Sequence, residues 1–191
     1  MTTAGLILAA GESRRMGYPK ALLKYRQETF LNTLIGLLAA RCSPVIVVLG
    51  ASAERIRASV SRPATFVLNE AYARGMTTSL QCGLRAIPPE CEGVLFTLVD
   101  HPAASLATVD SLLAPPRPLL RVPRYGKTRG HPIWFSRDLI PEFLALPDGG
   151  AANQVVHRHA GDTEFLDLDD SGIVADIDDP DAYRNLTEAR A

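Results

Sequence analysis

No apolar run in this 191-residue chain approaches the roughly 18 residues of a membrane span; its aliphatic stretches are short and interrupted. Neither sign of charge dominates. The 20 Lys and Arg nearly cancel the 21 Asp and Glu, for a formal net charge of −1. That excludes a nucleic-acid binder working by bulk basic charge, but it leaves room for a small local anion site. Cysteine is scarce: Cys42, Cys82 and Cys91 are odd in number and lack metal-ligand spacing. They read as thiols in a reducing compartment, with no disulfide frame and no zinc site. The start, Met1-Thr2-Thr3-Ala4-Gly5, lacks the basic segment of a secretory signal. The expectation is a cytoplasmic chain with no membrane and no nucleic-acid partner. Internal repeats, low-complexity tracts and linkers are missing too, and the prolines at 115–118 are too few to divide domains. The length therefore predicts one domain over 1–191, with 119–191 as a C-terminal elaboration.

What the chain does have is alternation. Residues 5–10 (GLILAA), 44–49 (PVIVVL), 65–68 (TFVL) and 93–99 (GVLFTLV) are apolar runs with strand character. Between and after them, residues 29–41, 52–60, 77–87 and 105–113 carry helical patterning, with Ser52 and Thr77 or Thr78 as expected N-caps. Strand runs that are apolar throughout, without polar alternation, are buried on both faces. The order βαβαβαβα predicts an α/β fold: a Rossmann-like open, mostly parallel sheet with helices on both faces. Beyond residue 119 the apolar runs 119–123 and 132–135 flank a polar, basic stretch, 124–131, that reads as a hairpin or long excursion. Helices are expected over 137–146 and 151–160, and a late strand over 164–168.

In open α/β sheets ligands collect outside the carboxyl ends of the strands. Two loops there stand out. Residues 8–20 (LAAGESRRMGYPK) bring Gly11, Gly17, Ser13, Arg14, Arg15 and Lys20 to the end of the first strand. Small residues let backbone N–H groups approach an anion, Arg clasps phosphate with two bonds, and Lys adds a point charge. Neither a P-loop nor a GxGxxG pattern is present, so a solvated basic loop is the bland alternative. The second loop, Asp100-His101-Pro102, places a carboxylate directly after the fourth strand. Asp100 suits a Mg²⁺ ligand beside substrate phosphates, or a turn or helix-capping residue. His101 reads as a substrate contact or a polar turn residue, the turn being favoured because no partner for it is visible in the sequence. The acidic stretch at 176–181 either leads into a last helix with Pro180 at its first position or brings a second carboxylate to a metal.

These residues resemble a known family. LAAGESRRMGYPK is similar to the nucleotidyltransferase signature LAAGxSxRMGxxK. The chain looks closest to the molybdenum-cofactor nucleotidyltransferases of the MobA/MocA-like group. Asn69 followed by Gly75-Met76-Thr77-Thr78-Ser79-Leu80 resembles their N…GMxTSL stretch, Asp100-His101-Pro102 their DxP, Gly130-His131-Pro132 their GHP, and residues 176–181 their DIDTPED ending. Guanylyltransferases of the group typically read LAGG and carry Asp before the lysine. Ala10 before Gly11 and Pro19 before Lys20 resemble the cytidylyltransferase branch instead. Three positions depart from the family pattern: His101 replaces the usual Gln, Asp179 the usual Thr, and Ala182 the usual Asp.

The resemblance implies a nucleotide-diphospho-sugar-transferase-like fold that binds a nucleoside triphosphate and Mg²⁺. The Ala9-Ala10-Gly11 backbone would hold the nucleotide, Arg15 and Lys20 its phosphates, and Asn69 and Ser79 would lie beside base and ribose. Asp100 would ligate Mg²⁺, with Asp178 as second ligand, and His131 would face the acceptor, for which 119–191 supplies the elaboration. The implied reaction transfers CMP from CTP, in preference to GTP, to the terminal phosphate of molybdopterin or the molybdenum cofactor, with a molybdenum hydroxylase as recipient of the product. Arg15, Lys20 and Asp100 would be its catalytic residues. The alternatives are transfer to another phosphate monoester, such as a sugar 1-phosphate, and a non-catalytic protein that delivers the molybdenum cofactor.

Overall fold

The computed structural model describes residues 2–147 and 149–188. In chain order the elements are β1 (Thr2–Ala9), the short ribbon β2 (Lys24–Tyr25) and β3 (Glu28–Thr29), α1 (Phe30–Ala39), β4 (Val45–Leu49), α2 (Ala53–Ala58), β5 (Thr65–Leu68), α3 (Met76–Arg85), β6 (Cys91–Leu98) and α4 (Leu106–Leu113). Then come β7 (Leu120–Tyr125), β8 (Thr128–Arg129), β9 (Ile133–Ser136), α5 (Ile140–Leu144), α6 (Asn153–Arg158), β10 (Thr163–Asp167) and α7 (Pro180–Glu188).

One sheet runs β10-β7-β9-β6-β1-β4-β5, with β8 paired to β7. The pairs β1–β4, β1–β6, β4–β5 and β7–β10 are parallel, whereas β9 lies antiparallel to both β6 and β7. The open, mostly parallel sheet predicted above is thus what forms. Alternation along each strand sorts the core onto two faces. Leu6, Leu8, Ile46 and Val48 meet Leu80 and Leu84 of α3, Phe143 of α5 and Val155 of α6. Ile7, Val45 and Val47 meet Leu31, Leu34, Ile35 and Leu38 of α1, Ile56 of α2, and Val109 and Leu112 of α4. Two-sided burial explains why these runs are mostly apolar.

Several local expectations need correction. α3 starts one residue before Thr77, behind Gly75 at φ 119°, and neither threonine caps it. Thr78 instead donates from Oγ1 to the Gly75 carbonyl, 2.8 Å away. Ser52 precedes α2 at φ 55°, in the left-handed region, and makes no capping bond. Residues 137–146 hold a 3-10 turn, Arg137–Leu139, and then the short α5. By contrast, Thr29 and Ser105 cap α1 and α4, accepting from the Asn32 and Thr108 amides. The three cysteines are free. Among the described residues no helix is long and apolar enough to cross a membrane.

Two glycines fix distances that matter for the site. A Cβ on Gly83 would lie 2.5 Å from Leu6 Cδ1, so only glycine lets α3 lie this close on β1. A Cβ on Gly130 would lie 2.5 Å from the Ile173 carbonyl oxygen. The C-terminal segment therefore rests directly on the hairpin that leads into β9.

Candidate nucleotide and cation site

The loop after β1 turns back through two left-handed residues, Ser13 at φ 53° and Gly17 at φ 68°. The Ser13 hydroxyl accepts from the Lys20 amide at 3.0 Å, which starts the 3-10 turn Lys20–Leu22 and directs Lys20 inward. A cleft of about 320 Å³ opens between this loop and the end of β6. Ala9, Ala10 and Gly11 floor it, Arg15, Lys20 and Asp100 line it, and Ser79 and Met76 of α3 form a wall. A Cβ on Gly11 would meet nothing within 4 Å, so the backbone there faces open space.

A chain of ion pairs crosses the cleft. Lys20 Nζ donates to Asp100 Oδ2 at 2.9 Å and also to Asp178 Oδ1, and Arg15 donates from Nη2 to Asp178 Oδ2 at 2.6 Å. Lys20 is 8% exposed. Burial pulls its ammonium down, but the bonds to Asp178 and Asp100 outweigh that and hold it above the ordinary lysine range. The Lys20 hydrogen bond lowers the Asp178 carboxyl, more than its partial burial raises it, and Arg15 adds to the effect.

The acidic arm reaches this place because it is tied down on both sides. The Asp170 carboxylate accepts from the Ser105 and Gly172 amides and from Thr108 Oγ1, at 2.9, 3.0 and 2.7 Å. Ile177, buried, donates its amide to the Asp100 carbonyl at 3.0 Å. Asp176 and Asp178 flank Ile177 and so stand beside Asp100. Pro180 then opens α7, one of the two readings that the sequence left open for this stretch.

Asn69 does not line the cleft. It is 5% exposed and donates from Nδ2 to Thr78 Oγ1 and Ser79 Oγ, both at 2.9 Å, while its Oδ1 accepts from the Ala71 amide. It orients Ser79, which is the residue that faces the cleft. His131 lies in a neighbouring, mostly apolar cavity of about 230 Å³, with Phe96, Val122, Ile133, Phe143 and Arg129. The two cavities share Met76 and Leu98. Burial, with His101 adding, pushes the His131 imidazole down to about 4, so it is neutral at pH 7.

Sequence reasoning gave a lesser place to two groups beside Asp100. His101 follows the β6 turn as expected, its amide donating to the Leu98 carbonyl, yet it is 8% exposed with its ring 4.8 Å from that of His131. The departure from the family pattern at 101 was the available signal. Asp176 was the other, visible only as one acid among several at 176–181. Among the described residues Asp100 Oδ1 is buried without a hydrogen-bond partner. An orphaned carboxylate oxygen beside His101 and Asp176 fits a divalent cation.

The family described as the MobA-like NTP transferase domain matches residues 5–163. The nicotine blue oxidoreductase of Paenarthrobacter nicotinovorans is 33% identical over 187 residues, covering 91% of each chain. The molybdenum cofactor cytidylyltransferase of Escherichia coli K12 is 27% identical, covering 96% of this chain and 94% of its own. A probable molybdenum cofactor guanylyltransferase of Mycobacterium avium is 29% identical, covering 100% of this chain and 98% of its own. Among solved structures, Rv0371c of Mycobacterium tuberculosis H37Rv matches with TM-score 0.86 at 32% identity, over 98% of this chain and 99% of that one. Its manganese complex matches with TM-score 0.82 at 30% identity, over 99% and 100%. The family match over most of the chain, together with relatives at 33% and 32% identity over nearly its whole length, shows that the chain belongs to the MobA-like NTP transferase family.

Proposed function

We propose that this protein transfers CMP from CTP, in preference to GTP, to the terminal phosphate of molybdopterin or the molybdenum cofactor, releasing pyrophosphate. The observation that carries the reading is Lys20 Nζ, 2.9 Å from Asp100 across a cleft floored by the Ala9-Ala10-Gly11 backbone. A cation, a carboxylate and open backbone amides at one strand end are what a magnesium triphosphate requires. The relatives named for the molybdenum cofactor support the acceptor; because they include both cytidylyl- and guanylyltransferases, the base preference rests on Ala10 and Pro19.

A phosphate monoester has a second pKa near about 6 and is already largely dianionic at pH 7. It attacks the α-phosphorus without a general base. The barrier is the repulsion between anions and the charge developing on pyrophosphate. Arg15 and Lys20 answer both by binding the triphosphate, which takes over the places that Asp178 occupies on them. Asn69 holds Ser79 toward base and ribose. Asp100 and Asp178 are the residues proposed to hold Mg²⁺, which when bound supplies further positive charge at the phosphates. The apolar cavity holding His131 and Arg129 adjoins the nucleotide cleft through Met76 and Leu98, which suits a flat acceptor whose phosphate points toward Asp100. We place the reaction in the cytoplasm, in a single domain, with a molybdenum hydroxylase as recipient of the product.

The test is pyrophosphate release from CTP or GTP with Mg²⁺ and molybdopterin. The expected outcome is release with both components present and faster with CTP. Tight cofactor binding without release overturns the transfer reading in favour of a delivery protein. Release with a sugar 1-phosphate in place of molybdopterin overturns the acceptor.

A further inference from the structure

Asp100 divides its carboxylate between two neighbours. Oδ2 accepts from Lys20, whereas Oδ1 is buried with no hydrogen-bond partner. The group facing Oδ1 is His101, with Nε2 4.0 Å away. The His101 side chain is only 10% exposed, and its Nδ1 is likewise buried and unpartnered. Asp176 completes the group: one ligand atom from each of Asp100, His101 and Asp176 lies within 4.8 Å of the others. Asp178 is held elsewhere, with Oδ1 on Lys20 and Oδ2 on Arg15. Neighbouring ligands at about 2.1 Å from one ion stand about 3.0–3.4 Å apart. Side-chain rotations that move each ligand atom by up to about 1 Å therefore close the set.

We propose that Asp100, His101 and Asp176 form a three-ligand site, one imidazole and two carboxylates, for a first-row transition divalent cation, and that it fills before any nucleotide arrives. The inference rests on the reading of Asp100 as a cation ligand and deepens it. An imidazole donor suits Mn²⁺, Co²⁺ or Zn²⁺ better than Mg²⁺, which prefers oxygen throughout. Local charge favours the same occupant. Three carboxylates, Asp100, Asp176 and Asp178, surround two cations, Lys20 and Arg15. A divalent ion offsets the excess carboxylate charge and satisfies the orphaned Asp100 Oδ1 together with His101.

The experiment uses the full chain and Mn²⁺ alone, with no nucleotide. Bound Mn²⁺ is counted by electron paramagnetic resonance, and pulsed spectra are searched for imidazole nitrogen coupling. The wild-type protein is expected to bind one Mn²⁺ with that coupling and to prefer it to Mg²⁺ in competition. H101Q is expected to lose the coupling and to bind Mn²⁺ at least about tenfold more weakly. D176N weakens binding but keeps the coupling. Circular dichroism melting shows whether each variant folds; if H101Q does not, the wild-type nitrogen signal decides. Mn²⁺ bound without nitrogen coupling, unchanged affinity in folded H101Q, or no Mn²⁺ binding without nucleotide each overturn the site. Because nothing here is read from turnover, its failure leaves the transfer reaction to be judged separately by pyrophosphate release with Mg²⁺.

Discussion

Lys20, 80 residues before Asp100 in the chain, places its ammonium 2.9 Å from that carboxylate and at the same time on Asp178. The opening loop, the end of the central strand and the C-terminal arm thus meet at one side chain. An ammonium held between two acids keeps its charge at any working pH, so it is ready when an anion displaces one of them.

Replacing Lys20 by Ala removes that charge where the reaction needs it. The expected loss is roughly 10²–10³ in kcat, the usual cost of one positioned charge-stabilising donor. Steady-state pyrophosphate release checks it; a change confined to KM would show that Lys20 binds the triphosphate without acting in the transition state.

Asp100→Ala should abolish turnover while the protein still folds, because Lys20 keeps Asp178 as a partner. Near-normal Mg²⁺-dependent pyrophosphate release from this variant would remove Asp100 from the cation site.

Asn69 acts through Ser79. Asn69→Ala leaves the buried Thr78 and Ser79 hydroxyls without a shared donor, which costs about 1–3 kcal/mol of stability. Thermal denaturation should register the loss, and calorimetry should find weaker nucleotide binding. Unchanged affinity would mean that Ser79 needs no such support.

Asp170 anchors the acidic arm through three hydrogen bonds. Asp170→Ala should cost about 1–3 kcal/mol and speed amide exchange over residues 172–178. Protection equal to the wild type there would show that Ile177 alone holds the arm.

His131 gives a pH signature. Its folded value of about 4 lies below the ordinary 6.5. Between those values the unfolded chain binds a proton that the folded chain refuses, so stability falls as pH drops from 6.5 toward 4 and is intact above 6.5. The loss reaches about 3 kcal/mol at the acid end. Urea unfolding of wild type and His131→Asn at pH 7 and 4.5 tests this; equal acid losses in both would refute it.

The inner strands were legible because burial on two faces favours long apolar runs, as in β4, and 65–68 also became β5 residue for residue, although that edge strand is only partly buried. The antiparallel direction of β9 was not legible. The run that became β9 has the same apolar character as the parallel strands β1, β4 and β6, and only the connection through the β7–β8 hairpin turns it around. The ribbon of β2 and β3 is two residues a side, too short for any period to register. Thr77 and Thr78 looked like caps because hydroxyls commonly serve that role, but Gly75 at positive φ had already turned the chain. Within the site, the meeting of Lys20 with Asp100 followed from the rule that ligands gather at strand ends. The inward turn of His101 did not, since it depends on the packing of a second histidine 30 residues further along the chain.

The bond from the Ile177 amide to the Asp100 carbonyl also orders events in time. Translation completes the whole sheet-forming region before Asp178, the acid shared by Lys20 and Arg15. A chain interrupted after β10 keeps the Lys20–Asp100 pair but lacks the carboxylate that holds Arg15.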